Sequence, residues 1–254
     1  MPAVSDGKMC FDMKLSRFVL VGMIVQLSGI PPLQAQQSPD SLLYKEAISN
    51  LYRIYLNEIG DNAQIYHGDE YIRNGQKALG FPYFQSDSML TGSISYQGIL
   101  YTDLSLFYNL VSDEPVIRNY AQNTFITLSP QKVDSFTIGG HFFLKLTLKS
   151  YTGLPVDGFY EQLYSGEPGF YVRREKKLVV GTGSEETKYI QYNSFFVRMK
   201  NNFYSVDGKN ALLDLLRDQK DPLKKYIRAS KLNFKKNLES SLLKATIYYS
   251  RLKT

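Results

Sequence analysis

The hydrophobic pattern of the N-terminal region predicts two successive apolar elements. The first is a continuous apolar run over residues 18–30, which directly precedes Pro31-Pro32. In the second, over residues 44–59, apolar side chains recur at every third or fourth position, and this spacing predicts an amphipathic helix. Ser38-Pro39-Asp40 supplies a capping residue, a proline suited to the first helical position and an acidic residue for the positive end of the helix dipole. We therefore expect a helix that ends near Gly60.

Beyond Tyr66 the pattern changes to short segments of strand character. Glycine, proline, asparagine and aspartate separate these segments, as in Gly139-Gly140. Residues 92–101 predict a hairpin that turns near Gln97-Gly98. The other strand candidates are residues 102–108, 124–128, 135–138, 142–148, 159–164, 170–174, 189–192, 195–199 and 203–206. Many short strands without helical patterns between them predict an antiparallel meander, a sandwich or a partly open barrel.

The last segment returns to helical spacing. Gly208 precedes a helix predicted over residues 209–217, and Asp221-Pro222 begins a second helix that ends near Ser230. Asn237 is placed to cap a third helix. The apolar stripe of that helix comprises Leu238, Leu242, Ala245, Tyr249 and Leu252. The whole pattern predicts an α+β fold, predominantly an antiparallel sheet, with an N-terminal helix and a C-terminal helical segment.

The first apolar run has the arrangement of a secretion signal. Lys14 and Arg17 precede it, and a cleavage region that ends at Ala35 follows it. The run is shorter than the roughly 20 apolar residues that span a bilayer. Two aspartates within the first twelve residues do not suit the positively charged start of a signal, so we expect the true start at Met13. We therefore predict a signal peptide over residues 1–35 and an exported protein, periplasmic or extracellular.

Cleavage after Ala35 divides the remaining chain into two predicted parts. Residues 36–208 contain the N-terminal helix and the β-rich domain, and residues 209–254 form a basic helical segment. The only cysteine, Cys10, precedes the mature chain. We therefore expect no disulfide, no thiolate metal site and no lipid attached to a cysteine in the mature protein, and no cofactor.

Positive charge is concentrated in the C-terminal segment. Residues 209–254 contain twelve Lys and Arg against four Asp and Glu, whereas residues 36–208 contain fifteen against eighteen. The candidate binding cations are Lys224, Lys225, Arg228, Lys231, Lys235 and Lys236. Such a surface suits an anionic polymer, lipid headgroups or an acidic protein partner. The alternative is a docked pair of helices whose charges simply face water.

Several sequence blocks resemble one family of exported proteins. The blocks are residues 64–71, 80–84, 92–101, 133–136, 158–164 and 223–235. On these blocks the chain resembles an uncharacterised family of signal-bearing proteins from Bacteroidota. The resemblance implies export and residence in the cell envelope. It implies no activity from which site residues could be transferred.

A second group of candidate binding residues lies near the start of the β-rich part. Tyr66, His67, Asp69 and Glu70 place two carboxylates and an imidazole within a few positions. A zinc site requires three or four ligands at ordered spacing, and neither a second histidine nor a cysteine is nearby. We therefore predict no metal site. The alternative is a turn with solvated carboxylates.

No assembled catalytic constellation is visible in the sequence. There is no Gly-x-Ser-x-Gly nucleophile elbow, and we assign no catalytic residue. We therefore expect a non-catalytic binding or structural module of the envelope, with no nucleic acid partner. The alternative is a secreted or periplasmic hydrolase that acts on a glycan through two carboxylates. The carboxylates considered for that reaction are Asp69, Glu70, Asp113, Glu114 and Glu161.

Overall fold

The structure is a computed structural model that describes residues 63–73, 75, 77–183 and 185–253. These residues belong to one compact unit, residues 54–254. The predicted signal peptide and the helix predicted over residues 44–59 lie outside the described residues.

The described residues form one antiparallel sheet of eleven strands and a C-terminal group of helices. In space the strands follow the order β1-β5-β4-β3-β2-β6-β7-β8-β9-β10-β11, and the sheet is not closed. The strands are β1 Asp69–Glu70, β2 Leu90–Tyr96, β3 Ile99–Asn109, β4 Glu114–Asn119, β5 Thr124–Thr127, β6 Val133–Ile138, β7 His141–Leu146, β8 Gly158–Tyr164, β9 Gly169–Val179, β10 Lys188–Met199 and β11 Asn202–Ser205. The predicted predominance of antiparallel sheet is therefore confirmed.

Two meanders share this sheet and meet where β2 pairs with β6. The hairpin predicted to turn near Gln97-Gly98 is confirmed, because Tyr96 pairs with Ile99 across that turn. One prediction about the strands was wrong, because residues 189–192 and 195–199 are parts of one strand, β10. Two strands, β1 and β4, were not predicted. β4 contains Pro115, which cannot donate a ladder hydrogen bond. Because proline is rare in central strands, the sequence pattern did not indicate a strand there.

The sheet curls enough for the end of β3 to reach β9, although four strands separate them in the strand order. The backbone N–H of Lys176 in β9 donates to the carbonyl of Leu110 at 3.0 Å. Residues 79–84 lie beside this junction, where the Phe84 N–H donates to the carbonyl of Tyr108 at 2.9 Å. Lys176 Nζ also donates to the carbonyl of Tyr83 at 2.6 Å, and burial lowers the pKa of this lysine.

One face of the sheet carries two hydrophobic clusters side by side. The first cluster includes Phe143 of β7, and the second includes Val172 of β9 and Phe195 of β10. Phe143 pairs with Glu161, Glu161 with Val172, and Val172 with Phe195, so all four side chains lie in one cross-strand row on the same face. In this row the carboxylate of Glu161 lies between Phe143 of the first cluster and Val172 of the second.

The C-terminal helices cover the second cluster. They are α1 Lys209–Leu215, α2 Lys220–Ala229 and α3 Leu238–Lys253. Leu212 of α1, Leu223 and Ile227 of α2 and Leu242 of α3 are buried against Val172 and its neighbours. The predicted C-terminal helical segment is confirmed, but Asp221-Pro222 lies one residue inside α2. A proline is tolerated there because backbone N–H groups of the first helical turn have no partner within the helix.

The apolar stripe predicted for α3 was correct except at its end. Leu242, Ala245 and Tyr249 are buried, whereas Leu252 is 37% exposed. Leu252 belongs to the last turn of α3, beyond the part that packs on the sheet. The stripe thus fixes which side of α3 faces the sheet.

Candidate functional site

A chain of buried and partly buried polar side chains links the sheet to α3. Glu161 is fully buried and accepts hydrogen bonds from His141 Nδ1 and Arg174 Nε. The Arg174 guanidinium also donates to both carboxylate oxygens of Glu239 in the first turn of α3, each at 3.0 Å. Burial acts to lower the pKa of Arg174, but the hydrogen bond to Glu239 and the charge of Glu161 outweigh it, so this pKa is raised.

A second ion pair lies near the start of β8. Asp113 Oδ2 accepts from Arg173 Nη1 at 2.8 Å and from the Phe159 N–H at 3.3 Å, and Tyr108 donates to Asp113 Oδ1 at 2.5 Å. Burial and the neighbouring Asp113 carboxylate raise the pKa of Tyr108 well above its ordinary value. A side chain at Gly158 would clash with this pair, because a Cβ there would lie 2.1 Å from Arg173 Nη1.

These contacts bear directly on the carboxylates considered for glycan hydrolysis. Asp113 and Glu161 are each held by an arginine, and Glu161 has no exposed surface. Asp69 and Glu70 are exposed on the edge strand β1. Paired carboxylates act on a glycosidic bond only when both can reach it from one cleft. Glu161, which is fully buried and bound to Arg174, does not meet that requirement.

The N-terminal group of predicted site residues lies on β1 and the short 3₁₀ turn before it. His67, Asp69 and Glu70 are exposed, while Tyr66 is half-buried against the first hydrophobic cluster. Within the described part of the chain, no group of three or more His, Cys, Asp or Glu could hold a metal ion. β1 and the helices lie toward opposite ends of the strand order, since the helices pack on β8 to β10.

The carboxylates of the helical segment are largely neutralised, whereas its cations are not. Asp214 pairs with Lys220 at 2.7 Å, Asp218 with Lys253 at 2.5 Å, and Glu239 with Arg174. Among the described residues, ten of the twelve Lys and Arg side chains of this segment form no ion pair within 4 Å. These ten are Lys209, Arg217, Lys224, Lys225, Arg228, Lys231, Lys235, Lys236, Lys244 and Arg251.

Four of these free cations line one groove of about 790 Å³. Two chain segments form it, residues 207–211 at the start of α1 and residues 227–235 at the end of α2 and in the loop that follows. The cations are Lys209, Arg228, Lys231 and Lys235. The lining contains a single carboxylate, Asp207, so the groove has a formal charge of +3. A volume of this size is typical of small-molecule sites.

Lys231 lies at the point where α2 ends and has a left-handed backbone, with φ of 50°. The N–H of Leu232 donates to the carbonyl of Ile227 at 3.1 Å, and this bond closes the helix end in the manner of a Schellman motif. Glycine is the usual residue at this position, because a side chain there costs about 1 kcal/mol. This chain has a lysine instead, and that lysine lines the groove.

The structure divides the six predicted basic residues into two sets. Arg228, Lys231 and Lys235 line the groove, whereas Lys224, Lys225 and Lys236 do not. Sequence reasoning missed Lys209 and the amides Asn210 and Asn233, which also line it. Packing between α1 and α2 in the second hydrophobic cluster places Lys209 and Lys231 on the same groove, and spacing along the sequence does not indicate this.

Searches of protein-family models, of curated proteins and of solved structures found no match to this chain. Among the helices of the described residues, none combines the length and the apolar character needed to cross a membrane.

Proposed function

We propose that the protein is an exported, non-catalytic module of the cell envelope that docks on anionic lipid headgroups through its C-terminal helices. The observation that carries this proposal is the set of ten cations, among the described residues of 209–254, that form no ion pair. The secretion signal predicted from residues 1–35 and the resemblance to exported proteins support an envelope location.

The distribution of charge favours attachment over a simply solvated surface. Three of the four carboxylates in this segment are already paired, so they do not balance the remaining cations. A basic residue near an anionic membrane surface contributes about 1 kcal/mol of binding free energy. Several such residues on one element therefore suffice for reversible attachment without a spanning helix.

The test is adsorption to vesicles of phosphatidylcholine with and without phosphatidylglycerol, followed by co-sedimentation. We expect the protein to bind only the anionic vesicles and to be released by salt, because charge attraction is screened over about 3 Å at 1 M salt. The test variant replaces Lys225, Lys236 and Lys244 by Gln, and all three lysines are exposed and lie outside the groove. We expect it to lose about 3 kcal/mol of binding free energy, which is a factor of about 100 in affinity for the anionic vesicles.

The matched control replaces three exposed lysines of the sheet region, Lys132, Lys149 and Lys188, by Gln. This variant has the same net charge as the first but keeps the helical cations. We expect it to bind within about threefold of the unchanged protein. Equal loss in the two variants would show a general effect of net charge. Salt-insensitive binding contradicts the proposal, because charge attraction must weaken as salt is added. No binding to anionic vesicles also contradicts it and favours an acidic protein partner.

A further inference from the structure

The groove between α1 and the end of α2 combines a charged rim with an apolar wall. Besides the four cations and the two asparagines, its lining includes Ala211, Ile227, Leu232 and Phe234. Ile227 is buried, and Leu232 and Phe234 are half-buried. A flat cationic face would adsorb a lipid surface without any such concavity. The groove therefore has features that adsorption alone does not require.

We propose that this groove is a binding site for one phosphorylated amphiphile, with the phosphate between the cations and the apolar body against Leu232 and Phe234. The inference rests on the proposed function and specifies the ligand of the same helical surface. It assigns Lys231 and Arg228 as phosphate-binding residues.

The charge of the groove fits a phosphate monoester better than a single carboxylate. Four cations and one carboxylate give the lining a formal charge of +3, and a phosphate monoester carries between one and two negative charges at neutral pH. An arginine guanidinium can bind two phosphate oxygens at once, while each lysine adds a point charge. The asparagines at positions 210 and 233 place polar side chains on the same lining.

The size of the groove argues against inorganic phosphate as the ligand. Sites of 300–1,000 Å³ hold molecules of drug size, which are much larger than a phosphate ion. The groove measures about 790 Å³, and four of its twelve lining residues are apolar side chains. A bare anion would leave the wall formed by Leu232 and Phe234 without contact. An attached apolar body would bury that wall and add hydrophobic binding energy.

The left-handed backbone at Lys231 permits a test that separates binding from folding. Lys231→Gly removes the cation and installs the residue that this backbone favours, so we expect Tm unchanged or raised by about 2 °C. Lys200→Gly is the matched control, because Lys200 has a φ of 56° in the β10–β11 turn and does not line the groove. Both variants lose one exposed lysine from a left-handed position.

Calorimetric titration of the purified protein would use dihexanoyl phosphatidic acid, dihexanoyl phosphatidylcholine and inorganic phosphate as probes. We expect phosphatidic acid to bind, the zwitterionic lipid to bind at least about tenfold more weakly, and Lys231→Gly to weaken phosphatidic acid about tenfold. Lys200→Gly should bind like the unchanged protein. Equal affinities of the two variants, or inorganic phosphate bound as tightly as phosphatidic acid, overturn the inference.

The vesicle experiment tests the proposed docking on lipid, and the titration tests the groove, so their outcomes can be distinguished. If the groove does not bind the short-chain lipid but the protein still adsorbs to anionic vesicles, only the specific site is contradicted. If neither occurs, the lipid-docking function itself is contradicted.

Discussion

Adjacent arginines on β9 and the cations at the end of α2 show two uses of positive charge in one molecule. Arg173 and Arg174 are buried, and each is bound to a carboxylate, Asp113 and Glu161 respectively. Arg228 and Lys231 are exposed and have no ion-pair partner among the described residues. The contrast separates cations that maintain the fold from cations that are available to a ligand.

The physical reason for the contrast is the cost of removing charge from water. A buried guanidinium needs a carboxylate beside it, since an uncompensated buried charge is strongly destabilising. An exposed lysine keeps its hydration and gains little from a partner. The arginines of β9 are therefore paired because they are buried. The exposed cations at the end of α2 need no partner for folding and remain available to bind a ligand.

The largest expected effect comes from breaking the buried pair. Arg174→Met leaves Glu161 buried beside His141 without its arginine, and we expect a loss of about 3–5 kcal/mol in the free energy of unfolding. Urea denaturation followed by circular dichroism measures this loss. Because Arg174 also holds Glu239, we expect the helical signal and the sheet signal to be lost together.

Two companion variants sharpen this result. Glu239 is partly exposed, and Glu239→Gln leaves the buried Arg174–Glu161 pair intact. We therefore expect this variant to lose only about 1 kcal/mol in the free energy of unfolding. The double variant Arg174→Met with Glu161→Gln removes both charges and should recover part of the loss of Arg174→Met. If Arg174→Met costs no more than Glu239→Gln, the buried pair does not maintain the fold.

The second effect concerns the pair on the neighbouring arginine. Gly158→Ala places a Cβ 2.1 Å from Arg173 Nη1 and 2.3 Å from Asp113 Oδ2, so the ion pair must move. We expect a loss of about 2 kcal/mol in the free energy of unfolding. Gly98→Ala is the control, since Gly98 has a positive φ but no atom within 4 Å of the added Cβ. A cost at Gly158 no larger than that at Gly98 would show that backbone strain alone acts there.

The smallest effect is expected for a paired charge at the surface. Asp218 accepts hydrogen bonds from Lys253 and Tyr249, and the bond from Lys253 contributes most to lowering the pKa of this carboxyl. Its contribution to stability is therefore present above the unfolded pKa of about 3.9 and is lost as pH falls through the lower folded pKa. Thermal unfolding of Asp218→Asn should show a small loss at pH 7 that vanishes in strong acid. A loss that persists there would contradict a role for the charge.

The sequence predicted the local elements of this fold better than their arrangement. The turn at Gln97-Gly98 and the apolar stripe of α3 were found because both follow from local spacing. The pairing of β2 with β6 and the approach of β3 to β9 join residues that are distant in sequence. The hydrophobic pattern along the chain does not indicate which distant segments come together. β4 was missed because Pro115 interrupts the strand pattern.

The candidate site was predicted only in part, for a related reason. The composition of α2 and the following loop identified Arg228, Lys231 and Lys235 because cations cluster there along the chain. Lys209 was missed because it joins the groove only through the packing of α1 on α2. Charge counts also could not show which cations have partners, as Lys220 and Lys253 do.

The bond between Arg174 and Glu239 has a consequence for the order in which the molecule can fold. Glu239 follows Arg174 by 65 residues and is therefore synthesised well after the strand that it contacts. The first hydrophobic cluster draws on residues no later than Phe159 and can form before α3 exists. The apolar face of the sheet around Arg174 stays uncovered until α3 has been synthesised and can pack on it. Synthesis and docking of α3 thus complete the native environment of β9.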